Sequence, residues 1–278
     1  MLFNVEAAED VRCAVVGHVE VVEFARVDHV PSPGEIVQTI ETWTEPAGGG
    51  AVASLALRRL AGDVTFFTAF GDDEVGQRAE QQLREAGVRV ECVYRDEPQR
   101  RGFTYVDRNG ERTITVIGRK LVPRAEDPLP WNDLEEIAGV YLCGADPAAV
   151  GEARRARVLV ATARELATLR EAGVELDALV QSATDESERY KPGDLEPPPR
   201  RVVTTEGRQG GRYVEGDREG RWEAAPLPGP FADTYGAGDT FAAALALGLG
   251  AGRPTDDALA FAARAAAEAM TVPGAGTG

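Results

Sequence analysis

The sequence predicts an α/β protein, with a mostly parallel central sheet flanked by helices and a small β element set beside it. Three observations carry that expectation. Short runs rich in β-branched and aromatic residues alternate with helix-forming stretches along most of the chain, as parallel strands joined by helical crossovers require. Residues 24–44 and 102–118 break this rhythm with short apolar and polar alternations around turn residues, the pattern of a partly exposed antiparallel piece. With 278 residues, 43% of them hydrophobic, the chain can bury a substantial core. The alternation resumes after every interruption, so residues 1–278 are expected to form one unit.

Taken in order, residues 11–22 (VRCAVVGHVEVV) read as one buried central strand bent at Gly17. Residues 51–61 are helix-forming, and DVTFFTAFG after them is a buried strand. Asp72 or Asp73 can cap a helix over residues 74–86 that stops at Gly87, and VRVECVYR follows as a strand. Asn109-Gly110 favours positive φ and so a tight hairpin. Further strands are expected at residues 139–143, 157–161, 178–181 and 201–205, and a β-meander within GGRYVEGDREGRWEAAPL. Residues 239–250 and 255–270 are alanine-rich on every side, which predicts two well-buried helices.

The formal net charge of −16 is spread along the chain, which disfavours a general nucleic-acid or acidic-membrane surface. A phosphorylated ligand would need local cations or backbone amides. Cys13, Cys92 and Cys143 lie far apart in apolar runs, as reduced thiols do, and His18 and His29 do not approach metal-ligand spacing. The start MLFNVEAAEDVR is acidic and poor in apolar residues for a signal peptide, and no apolar run approaches a membrane span of about 20 residues. The expected location is the cytoplasm.

Chemistry concentrates in DTYGAGDTF, residues 233–241, ahead of an alanine-rich helix. Gly236 and Gly238 let successive backbone N–H groups, with that of Ala237, turn toward one point at a helix start, which makes an anion site. Asp239 beside it is placed to take a proton from an attacking hydroxyl, as phosphoryl transfer requires. The competing reading makes Asp239 a helix cap and the glycines a turn. No G-x-G-x-x-G follows the first strand, so a dinucleotide enzyme lacks its basic requirement.

DTYGAGDTFAAALALGLG resembles the C-terminal signature of the ribokinase/PfkB carbohydrate kinases, and GGGAVASLALRRLAG resembles their N-terminal glycine-rich signature. GDDEVGQRAEQQLREAGV, GERTITVIG and VVTTEGRQGGRYV fall between them in the family's order, so the resemblance spans nearly the whole chain. It implies a ribokinase-like fold whose small β element is a lid, and transfer of the γ-phosphoryl of ATP, with Mg²⁺ and a candidate monovalent cation, to a hydroxyl of a sugar or related small molecule. By the same analogy Asp239 is the base and the amides of Gly236, Ala237 and Gly238 hold the transferring group. Thr205, Gly207 and Gly210, in a T-x-G-x-x-G run, and Ser182 would line the nucleotide. Where the family carries N-x-x-E, tied to Mg²⁺, this chain offers Asp185 and Glu188, and Asp185 could equally cap a short helix. An acceptor pocket is expected from Glu20, Val22, Gly48, Gly49, Gly50, Arg101 and Phe103, and a homodimer through the exposed lid edge.

The departures sit in that pocket. Val22 falls near the position of the family's sugar-binding aspartate, and GGGAVAS has no asparagine. They leave a second reading open, a nucleotide- or sugar-binding regulatory protein without catalysis.

Overall fold

The computed structural model describes residues 11–276, so all but the last two residues of the opening segment MLFNVEAAEDVR lie outside the described residues. Nine strands form the large sheet, in the order β13-β12-β11-β10-β9-β8-β1-β4-β5. These are β1 (Cys13–Val16), β4 (Val64–Gly71), β5 (Arg89–Arg95), β8 (Gly139–Leu142), β9 (Val158–Thr162), β10 (Ala178–Ser182), β11 (Arg201–Thr205), β12 (Gly211–Glu215) and β13 (Arg218–Trp222). From β5 to β11 every pairing is parallel, while β12 and β13 add an antiparallel edge. The mostly parallel sheet expected from the sequence is therefore present, and its central strands are buried throughout. In β1, Cys13 and Val15 face one core and Ala14 and Val16 the other, which is why the strand reads as an unbroken apolar run.

Helices cover both faces. α1 (Gly48–Ala61), α2 (Glu74–Glu85), α5 (Ala237–Gly250) and α6 (Thr255–Ala269) enclose the first core, and α3 (Pro147–Ala153) and α4 (Leu166–Ala172) lie over the second. Asp73 caps α2, accepting from Gly76 N at 2.8 Å. α5 is buried along nearly its whole length, whereas α6 keeps Asp256, Asp257, Arg264 and Glu268 outside the core, so it is one-sided rather than apolar all round. None of the described helices is long and apolar enough to cross a membrane. Cys13, Cys92 and Cys143 are all free thiols.

The small sheet has the order β3-β2-β6-β7, with β2 (Glu20–Arg26), β3 (Glu41–Ala47), β6 (Arg101–Val106) and β7 (Arg112–Ile117). Its strands come from insertions after β1 and β5, at the carboxyl ends of those parallel strands, which is where open α/β sheets bind ligands. One expectation needs correction here. Residues 11–22 are not one strand: the chain leaves the large sheet at Gly17, and Glu20–Arg26 pairs with β3 and β6 instead. The hairpin expected around Asn109-Gly110 is present, with Gly110 at φ 75°. The loop spans residues 107–111, held by the Asp107 carboxylate, which accepts from the backbone N–H of Asn109 and Glu111.

α5 runs antiparallel to β8 in very close contact, because Gly139 carries no side chain. A Cβ there would sit 2.2 Å from the carbonyl oxygen of Ala246, a backbone atom that cannot swing away. Gly139→Ala is expected to cost about 3 kcal/mol through the forced displacement of α5. Urea unfolding measures it, and a loss below about 0.5 kcal/mol, the range of an ordinary surface substitution, would contradict this packing.

Candidate active site

The site forms where the first turns of α1 and α5 meet above the carboxyl ends of β1 and β8. Gly236 sits at the start of α5 in the left-handed conformation, φ 72°, and no side chain caps that helix. Asp239 therefore lies inside the first turn, not at the cap position. Its Oδ1 accepts a hydrogen bond from the Tyr141 hydroxyl at 2.8 Å. The capping alternative raised by the sequence is thus replaced by a carboxylate held at the mouth of an uncapped helix start, where the N–H dipoles favour an anion. Gly238 beside it is exposed.

α1 begins three residues earlier than its sequence suggested, so Gly48, Gly49 and Gly50 form its first turn. A Cβ on Gly49 would lie 2.8 Å from Asp239 Oδ1, and one on Gly236 would lie 2.5 Å from a Val52 methyl. The Gly48 N–H donates to the Tyr235 hydroxyl at 3.2 Å. Asp233, the first acid of DTYGAGD, is structural: its buried carboxylate accepts from Tyr235 N at 2.8 Å and Gly274 N at 2.9 Å.

Beside Gly48 lies a polar group that the motifs did not announce. His18 Nδ1 donates to the Cys143 carbonyl oxygen at 3.0 Å, and its Nε2 is 3.6 Å from Glu20 Oε1. Arg100 Nε is 2.7 Å from the same Glu20 oxygen. Burial raises the Glu20 carboxyl, but hydrogen bonding and charge from His18, with the Arg100 guanidinium, outweigh it and leave the group below its ordinary 4.5.

Other expected residues gather at the ends of β10 and β11. Ser182 pairs in register with Thr205, whose hydroxyl donates to the Gln181 carbonyl oxygen at 3.3 Å, and Gly207 and Gly210 bracket the turn that follows. Asp185 caps a short 3₁₀ turn by accepting from Ser187 N at 2.9 Å. Asp185 Oδ2 is also 3.3 Å from Arg164, and the buried Glu188 carboxylate accepts from the same arginine. Arg164 further feels the charge of Asp239, so this one cation bridges the field between the two ends of the site. Lys120 pairs with buried Glu165 close by. Among the described residues, no group of three or more His, Cys, Asp or Glu side chains gathers as a metal centre.

Three expected acceptor residues are not brought in. Val22 is fully buried in an apolar cluster with Phe24, Val52, Val106 and Tyr235. Gly102 and Thr104 of β6 are buried, so the alternation turns Phe103 to the opposite face, where it meets Tyr105 edge-on at 5.0 Å. Arg101 is exposed on that same face. His18, Tyr141 and Arg164 were missed. Tyr141 alone left a signal, a phenol inside the strand run GVYLCG, since a buried hydroxyl requires a partner.

The model of the family described as pfkB family carbohydrate kinase matches residues 11–174 and 153–278. The ribokinase of Bacillus subtilis is 27% identical over 264 residues, covering 86% of each chain. A fructokinase of Vibrio alginolyticus is 36% identical over 91 residues, 32% of this chain and 29% of that one. Among solved structures, the ribokinase of Giardia lamblia superposes with a TM-score of 0.77 at 20% identity, covering 96% of this chain and 95% of that chain. The Arabidopsis thaliana ribokinase complexed with ribose and ATP gives a TM-score of 0.71 at 20% identity, covering 95% and 93%.

The depressed Glu20 carboxyl sets a pH dependence. A group whose folded pKa lies below its unfolded value contributes stability that is present above the unfolded value and lost as pH falls through the folded one. Wild-type protein should therefore lose stability below about pH 4.5 more steeply than Glu20→Gln. Urea midpoints taken from about pH 6 down to about pH 3 test this; parallel curves would refute the ion pairing.

Proposed function

The chain belongs to the pfkB family of carbohydrate kinases, and from that premise we propose that it transfers the γ-phosphoryl of ATP to a hydroxyl of a sugar or related small molecule, with Asp239 as the base. One observation carries the reading: the Asp239 carboxylate stands at an uncapped, glycine-rich helix start. The N–H groups of Gly236, Ala237 and Gly238 stabilise charge on the moving phosphoryl group, and Asp239 takes the proton released when the acceptor oxygen bonds to phosphorus and ADP leaves. Gly48 to Gly50 and Glu20 bound the acceptor side, and Thr205, Gly207, Gly210 and Ser182 the nucleotide side. The ATP-bound Arabidopsis relative supports ATP as donor.

Mg²⁺ keeps most of its waters and needs few carboxylates, so the sparse donor set here suits it. Asp185, partly exposed, would hold a metal-bound water; Glu188, buried against Arg164, would not. Bound there with ATP, the ion would neutralise charge on the β- and γ-phosphates.

In this reading the chain is a single unit and the small sheet is its lid. Arg112 of β7 reaches the Thr234 carbonyl oxygen and lies over the Tyr235 ring at 5.8 Å, so the lid touches the anion loop directly. The outward face, with Phe103 and Tyr105, supports a homodimer through the lid, and three free thiols support a cytoplasmic location.

Asp239→Asn is expected to keep the rise in melting temperature produced by ATP and Mg²⁺ while lowering turnover about 10²- to 10⁴-fold. ADP release is assayed with D-ribose, D-fructose and adenosine as acceptors. Full turnover in that variant would sink the base assignment, and stabilisation by ATP without release from any acceptor would favour a binding protein.

A further inference from the structure

One side-chain hydrogen bond reaches Asp239 among the described residues, and it falls on one oxygen of the carboxylate. Oδ1 takes the Tyr141 hydroxyl and faces the bare Cα of Gly49, whereas Oδ2 has no such partner. Tyr141 is 1% exposed, in a strand that is buried along its whole length, so its phenol has no rotational freedom toward water. We propose that Tyr141 is a positioning residue for the base: by occupying Oδ1 it fixes the carboxylate plane and leaves Oδ2 as the oxygen that receives the acceptor's proton. The inference rests on the assignment of Asp239 as base and extends it to a residue of β8 that never touches substrate.

The surrounding charges are consistent with this division. Burial first, then the charge of Asp239, pushes the Tyr141 phenol well above its ordinary value, so it stays a neutral donor. The Cys143 thiol just past the same strand and the Tyr235 phenol are likewise pushed up by burial and carry no charge. Arg164 is the cation that acts on Asp239 from beyond β9, while Lys120 and Glu165 neutralise each other behind Cys143. His18 and Glu20 face the site from the other side and are tied to Cys143 and Arg100. A neutral phenol can only donate to the carboxylate it faces, so removing the hydroxyl frees Oδ1 and the carboxylate plane to turn.

Tyr141→Phe keeps the ring and deletes the donor. With whichever of D-ribose, D-fructose or adenosine supports ADP release, or with water in slow ATP hydrolysis, kcat should fall about tenfold with KM for ATP unchanged. A purely structural tyrosine would lower the melting temperature and leave kcat of the folded enzyme at the wild-type value, and that result overturns the proposal. Should Tyr141→Phe fail to fold, NMR of tyrosine-labelled protein decides. A slowly exchanging hydroxyl proton that shifts in Asp239→Asn supports the bond, and one that ignores the substitution refutes it. If Asp239→Asn is inactive while Tyr141→Phe retains the wild-type kcat, only the positioning role fails; if Asp239→Asn is active, the base assignment itself fails.

Discussion

Two glycine-rich helix starts meet face to face, and the rest of the site depends on that approach. The Asp239 carboxylate packs onto Gly49 and a Val52 methyl onto Gly236, so each helix start receives a side chain of the other where it has none of its own. This close approach brings two sets of N-terminal N–H groups toward one place, which a helix pair with larger residues at Gly49 and Gly236 would hold apart. The approach is possible because each helix is fixed elsewhere. Gly139 lets α5 lie on β8, and the Gly50 N–H donates to the His18 carbonyl oxygen at 3.1 Å, tying α1 to the end of β1. Tyr235 then joins the pieces, its hydroxyl on Gly48 and its ring edge-on to Phe24 of the small sheet at 5.0 Å. Anion loop, helix start and small sheet are one packed unit around that ring.

Under the kinase reading, this arrangement would let a chain with a formal charge of −16 hold a polyphosphate. Long-range repulsion between solvated charges is screened over about 8–10 Å at ordinary ionic strength, so the local field decides. Locally the cations are gathered: Arg164 against Asp185 and Glu188, Lys120 against Glu165, and Arg100 against Glu20. Each is tied to a carboxylate, which keeps the guanidinium or ammonium oriented without ligand. Helix-start amides supply the remaining positive potential without adding any net charge.

What the sequence disclosed follows from the range of each interaction. Strand β11 matched its expected bounds, residues 201–205, and Asp73 proved to be the cap of α2, because both rest on neighbours within a few residues. The reading of residues 11–22 failed because a run of Val and Ala looks the same whether it continues in one sheet or crosses to another; only pairing with Gly102 and Glu45 distinguishes Val22 as a small-sheet residue. Asp239 was equally ambiguous. Its partner Tyr141 is 98 residues away in the chain, and no local pattern encodes a hydrogen bond of that span. Asp185 was left open between cap and metal-water ligand, and its cap geometry is present alongside an exposed oxygen near Arg164. His18 had no motif at all, since its role comes from the fold that sets Cys143 beside it.

The acceptor side shows the most consequential exchange. Val22 and Val52, where the resemblance placed an aspartate and an asparagine-bearing run, are fully or almost fully buried, and they pack with Tyr235 rather than with solvent. A hydroxyl pressed against that cluster would lose its water without gaining a partner, at about 1–3 kcal/mol each. The polar groups that remain, His18, Glu20 and Arg100, all lie on the Gly48 side. Under the kinase reading, recognition is therefore one-sided: an acceptor is held through the hydroxyls it turns toward Glu20 and presents an apolar edge, or nothing, toward Val22. A polyol with hydroxyls on every carbon would be penalised relative to a smaller alcohol or one with an apolar face. Specificity here would arise from what the apolar cluster refuses as much as from what Glu20 binds.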